Sequence, residues 1–170
     1  MPRGEALLLP ASPLFIVVSL LAALAVNLLP LGRVPAMPDL LALTLAFWAV
    51  HQPRRVGVGT AFFFGLVMDV HQGALLGQHG LAYALLAYAA IALHRRLLWF
   101  PVLEQALQVF PLLLAAHLVA LLVRLIAGDL FPGWSFFLAP VFEALLWPLA
   151  AALLLAPQRR APDPDENRPL

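Results

Sequence analysis

The chain has 170 residues, of which 63% are hydrophobic and 11% charged, with a mean hydropathy of +0.92 and a formal net charge of +1. Soluble domains run nearer about 45 to 50% apolar and about 25% charged, so this composition excludes a water-soluble enzyme, a disordered chain and a nucleic-acid-binding module, and places the chain in a bilayer. With no cysteine there is no disulfide, thiol catalysis or thiolate metal site to consider.

Roughly 107 apolar residues, at about 20 per crossing, fit five or six helices. Continuous runs such as Leu14 to Val26 and Leu112 to Val123 exclude a transmembrane barrel, which needs alternating segments of about ten residues. Spans are expected at about 13–30, 38–51, 56–70, 80–94, 103–126 and 134–156. The fold class is therefore all-α, a polytopic bundle of six transmembrane helices.

Before the first span, Arg3 is offset by Glu5, and Pro10 and Pro13 interrupt the apolar run. No small-residue cleavage site follows, so the first span is expected to stay attached. Pro30-Leu31-Gly32-Arg33-Val34-Pro35 ends it, because proline lacks a donor and proline with glycine punctuates helices. His51-Gln52-Pro53-Arg54-Arg55 separates the second span from the third. These two spans are short, covering about 21 to 23 Å of a hydrocarbon core about 30 Å thick. A re-entrant hairpin would leave Arg54 and Arg55 near mid-depth at about 2.5 to 3.5 kcal/mol each, so two full crossings are expected.

The third span carries Gly57, Ala61, Gly65 and Asp69 at four-residue spacing, one helical face on which small residues let another helix approach. Packing inside the protein is the first reading of this face and contact with a partner the second. From Asp69 to Gly80 runs the most distinctive loop of the chain, with Gly73, Gly77, Gln78, His79 and Gly80. Its glycines permit tight turns. It lacks the Gly-Lys-Ser/Thr ending of a phosphate-binding loop, and Asp69, His71 and His79 match no dedicated metal spacing. No metal or cofactor is expected.

Arg95-Arg96 and Pro101 separate the fourth and fifth spans, and Gly128-Asp129 with Pro132-Gly133 the last two. Pro111, Pro140 and Pro148 allow interrupted helices there. His117 and Glu143 each lie nine residues from the outer end of their spans, about 13 Å down. Buried ionisable groups in membranes are usually paired, so they read as a structural hydrogen-bonded pair facing each other, with a proton relay as the second reading. Arg124 snorkels outward towards Asp129, Asp39 or Asp69. No activated serine, catalytic carboxylate pair or zinc motif occurs, so no enzyme is expected.

There is no lysine, and ten arginines set the orientation. Placing both termini in the cytoplasm puts Arg3, Arg54, Arg55, Arg95, Arg96, Arg159, Arg160 and Arg168 inside and only Arg33 and Arg124 outside. The six-span membrane domain is expected over 1–157 and a short, proline-rich, disordered cytoplasmic tail over 158–170.

In order along the chain stand Pro38-Asp39-Leu40-Leu41 leading to Phe47-Trp48, Pro53-Arg54-Arg55-Val56-Gly57, Phe64-Gly65-Leu66-Val67-Met68-Asp69 and Gly77-Gln78-His79-Gly80-Leu81-Ala82-Tyr83. This segment resembles the MreD family of rod shape-determining membrane proteins, in its proteobacterial form. The resemblance implies a multi-pass protein of the bacterial inner membrane, a non-enzymatic scaffold of the cell-elongation complex needed for rod shape and lateral peptidoglycan synthesis. It further implies a bitopic MreC-like partner, together with MreB, RodA and a class B penicillin-binding transpeptidase, in contact with membrane lipid and not with nucleic acid. The family is also distantly similar to substrate-capturing subunits of vitamin-type transporters, which is the alternative function.

Overall fold

A computed structural model describes residues 11–29 and 36–158. They form six α-helices: α1 (Pro13–Asn27), α2 (Leu40–His51), α3 (Val58–Gln72), α4 (Gln78–Leu98), α5 (Val102–Ile126) and α6 (Leu138–Leu155). Short 3₁₀ turns at Trp134–Phe137 and Ala156–Gln158 flank α6, and no strand occurs among the described residues. The segment before Ala11, the Pro30–Pro35 break and the tail from Arg159 onward lie outside the described residues. Gln158, the last described residue, is buried and donates from Nε2 to the Leu154 carbonyl at 3.2 Å.

Helix ends move from the expected positions for identifiable reasons. α2 begins at Leu40 rather than 38 because Asp39 is its N-cap, with the side chain accepting from the Ala42 N–H at 2.9 Å. α4 runs on through Arg95 and Arg96, whose charges suit the negative end of the helix dipole. Pro111 and Pro148 sit inside helices that continue past them. Pro140 falls in the first turn of α6, where no intrahelical bond needs its missing N–H. Interrupted helices are therefore not what the prolines produce.

The centre of the bundle is α2. Every residue from Leu41 to Val50 is buried, with α1, α4 and α6 packed round it. A helix apolar on all sides belongs inside. Only 12 residues long, about 18 Å at 1.5 Å per residue, it is shielded from lipid and need not match the bilayer thickness. Phe47 and Trp48 meet edge to face at 5.1 Å between centroids, and Phe47 lies 5.7 Å from Trp147. Both indoles find acceptors: Trp48 Nε1 donates to Ser19 Oγ at 2.8 Å and Trp147 Nε1 to Gln105 Oε1 at 3.2 Å. Without them each buried N–H would cost about 1 to 3 kcal/mol.

Among the described residues, three helical segments are long and apolar enough to cross a membrane: α4, α5, and α6 with its flanking turns. Their outer faces expose leucines such as Leu107, Leu122, Leu145 and Leu153, a pattern suited to lipid rather than water. At one end of the bundle the Arg55 guanidinium donates to the Ala11 carbonyl, joining the start of α1 to the α2–α3 turn. The α2–α3 and α4–α5 turns put Arg54, Arg55, Arg95 and Arg96 at this end, and the buried carboxylates Asp69 and Glu143 lie towards the other.

Candidate functional site

Two linked polar assemblies occupy that other end. The first joins α3 to α4. Asp69, in the last turn of α3, presents its carboxylate to the start of α4, where Oδ2 accepts from the N–H of Gly77 at 2.8 Å and of Gly80 at 3.3 Å. Oδ1 accepts from the N–H of His79 and from its Nδ1, both at 2.8 Å. The first N–H groups of a helix have no intrahelical partner, and Gly77 at the N-cap has no side chain to serve them. Asp69 supplies the cap from the neighbouring helix, with its charge at the positive end of the dipole.

One turn earlier, Gly65 makes this reach feasible. A Cβ there would lie 2.5 Å from Gly80 Cα, Gly80 N and His79 O. The loop closes because Gly73 (φ 63°) and Gly77 (φ 100°) take left-handed conformations that favour glycine. Gly80 differs from expectation: it is helical, and its missing Cβ makes room for Phe62 and Leu66 of α3 instead of a turn. Ala61 is fully buried on the same face. Gly57 is not part of the contact. It is the N-cap of α3, and a Cβ there would meet nothing within 4 Å. Gln78 is buried as the first residue of α4.

The second assembly is built on the start of α2, which lies inside the bundle and leaves its own orphan amides to be satisfied. The Asp39 N–H donates to Glu143 Oε1 at 2.8 Å, and the Leu40 N–H donates to Asn27 Oδ1 at 3.2 Å. The Ala42 N–H takes the Asp39 side chain. That side chain also receives Asn27 Nδ2 at 2.6 Å and the Tyr83 hydroxyl. Five residues from α1, the start of α2, α4, α5 and α6 thus meet, since Glu143 Oε1 also lies 3.3 Å from His117 Nε2. Glu143 is wholly inaccessible. Buried acids are costly unless bonded; here Oε1 caps a helix, while Oε2 has no hydrogen-bond partner among the described residues.

The structure brings His117 and Glu143 together, with one added constraint. His117 Nδ1 lies 3.0 Å from the Leu113 carbonyl, which can only accept, so Nδ1 carries a hydrogen. Nε2 therefore bonds Glu143 only if one proton sits on Nε2 or on the carboxyl group.

Of the three candidates for Arg124, Asp129 is the partner, at 3.4 Å from Nε to Oδ2. Between the two assemblies lies a cavity of about 860 Å³, lined by Asn27, Asp39, His79, Tyr83 and His117 and by the more exposed His71, Arg124 and Asp129.

The sequence motif contains both Asp39 and Tyr83, and Asp39 also reads as a rim residue, but the sequence does not single out Asn27 or the contact among the three. The available signals were an asparagine ending an apolar run and a second helix with no polar face.

The family model described as rod shape-determining protein MreD matches residues 7–159. The chain is also similar to the rod shape-determining protein MreD of Haemophilus influenzae, 30% identical over 135 residues that cover 77% of this chain and 81% of that one. No solved structure matches it.

Proposed function

We propose a function from one premise: the chain belongs to the MreD family of rod shape-determining proteins. It serves as a non-enzymatic membrane scaffold of the bacterial elongation complex, acting on rod shape through lateral peptidoglycan synthesis. The observation that carries this reading is the family match across nearly the whole chain. The vitamin-type transport alternative receives no support from these matches.

In this reading all six helices cross the bacterial inner membrane within one domain over 1–157, with both termini and the tail from 158 in the cytoplasm. Support comes from the arginine distribution and from the two chemically distinct ends of the bundle. Arg54 and Arg55 lie at one end and the polar cavity at the other. α2 crosses as a lipid-shielded central rod. Exposed Trp134 at the cavity end and Trp99 at the arginine end suit the two membrane interfaces, where aromatic rings settle.

A scaffold works by holding faces in fixed relation. The Gly65–Asp69 brace and the glycine loop from Gly73 to His79 fix α3 against α4, and the Asp39 cluster fixes α1, α4, α5 and α6 round α2. The partners are a single-pass MreC-like protein, then MreB, RodA and a class B penicillin-binding transpeptidase. The testing experiment is co-purification of the full chain with the MreC-like protein from membranes in mild detergent. Stable association is expected, weakened by Gly65→Leu. Absence of association with the wild-type chain would refute the scaffold reading.

A further inference from the structure

The cavity at the polar end lies within the range of about 300 to 1,000 Å³ usual for small-ligand sites, and its charged walls are unlike one another. On one wall, Asp39 receives three donors, from Asn27, Ala42 and Tyr83. A carboxylate offers about four acceptor positions, so one remains. No cationic side chain lies within ion-pair distance of Asp39 among the described residues. Arg124 lines the same cavity. Its Nε is shielded from solvent yet makes no hydrogen bond, lying only within ion-pair distance of Asp129, which is itself 65% exposed.

A molecule with a cationic nitrogen and an acceptor-rich anion would complement both Asp39 and Arg124, which line the same cavity. A plain amine or a plain phosphate satisfies one wall alone. The rim adds depth: Trp134 is 82% exposed and Leu130 83%, next to cavity-lining Pro132. Apolar and indole side chains so placed sit at the level of lipid headgroups.

We propose that this cavity binds a zwitterionic phosphoethanolamine group, its ammonium towards Asp39 and its phosphate on Arg124. The group comes either from a membrane lipid headgroup or from a soluble phosphoethanolamine ester. The inference goes beyond the scaffold reading and holds whichever end of the bundle faces outward.

The test uses the full chain purified in mild detergent, with calorimetric titration of glycerophosphoethanolamine and of glycerophosphoglycerol. In parallel, the chain is placed in nanodiscs containing phosphatidylethanolamine or phosphatidylglycerol and probed by native mass spectrometry. Ethanolamine forms should bind and glycerol forms should not. Binding of lipid alone identifies a membrane source, and binding of the soluble ester as well identifies a free one; both support the site. Arg124→Gln, whose position is partly exposed, should weaken binding about tenfold at unchanged helix content, the loss of one charge-assisted contact. Asp129→Asn, which releases the guanidinium, should tighten it. Asp39→Asn also disturbs the start of α2, so the two rim variants are the decisive ones. Equal binding of ethanolamine and glycerol forms, no binding of either, or unchanged affinity in Arg124→Gln would overturn the proposal.

Discussion

The backbone N–H of Asp39 donates to Oε1 of Glu143 at 2.8 Å, linking residues 104 positions apart. A carboxylate on α6 thereby caps a helix that begins within the bundle. Burial of an acid and the shortness of α2 are thus two sides of one arrangement. A helix starting at the membrane surface would have water for its first amides, and α2 has Glu143, Asn27 and its own Asp39.

Glu143→Ala should destabilise the bundle by about 1 to 3 kcal/mol, because the part-buried Asp39 N–H loses its acceptor. Glu143→Gln keeps an oxygen acceptor and should lose less than half of that. Thermal unfolding in detergent distinguishes them, and equal losses would show that the acceptor is not what matters.

Gly65→Ala should cost about 1 to 3 kcal/mol, since its Cβ meets the Gly80 backbone, which has no flexible side chain to move aside. Gly57→Ala should change stability by less than about 0.5 kcal/mol, having open space and ordinary extended backbone. The same melts test the contrast, and similar effects at both positions would dissolve it.

Asp69→Ala should release the N–H groups of Gly77, His79 and Gly80. Faster amide hydrogen exchange is expected at the start of α4 and not in α5, with a stability loss of about 1 to 2 kcal/mol for the cap alone. Unchanged protection there would mean that the loop holds its shape without the carboxylate.

Much of this architecture was legible in the sequence because membrane helices announce themselves as apolar runs broken by proline and glycine. Depth counting placed His117 level with Glu143, and the structure has them 3.3 Å apart. Four-residue spacing put Ala61, Gly65 and Asp69 on one face. It also put Gly57 there, although the helix starts only after it, because spacing carries no information about where a helix begins. The Asn27–Asp39–Tyr83 contacts were not legible for a related reason. They exist only where the ends of different helices meet, and no periodicity within one helix records that. The central place of α2 had a signal, its lack of any polar face, which a comparison with lipid thickness alone overlooks.

Reporter fusions at Gly73 and Pro132 should read as periplasmic, and fusions near Arg54 and Arg95 as cytoplasmic. A cytoplasmic signal at Gly73 would contradict the six-crossing orientation.

Whether this chain maintains cell shape as a scaffold is decided by depleting it in its own cell and following cell outlines by phase-contrast microscopy. Rods should round into spheres, the wild-type chain should restore them, and Gly65→Leu should do so poorly. Depleted cells that kept dividing as rods of normal width would contradict the scaffold reading.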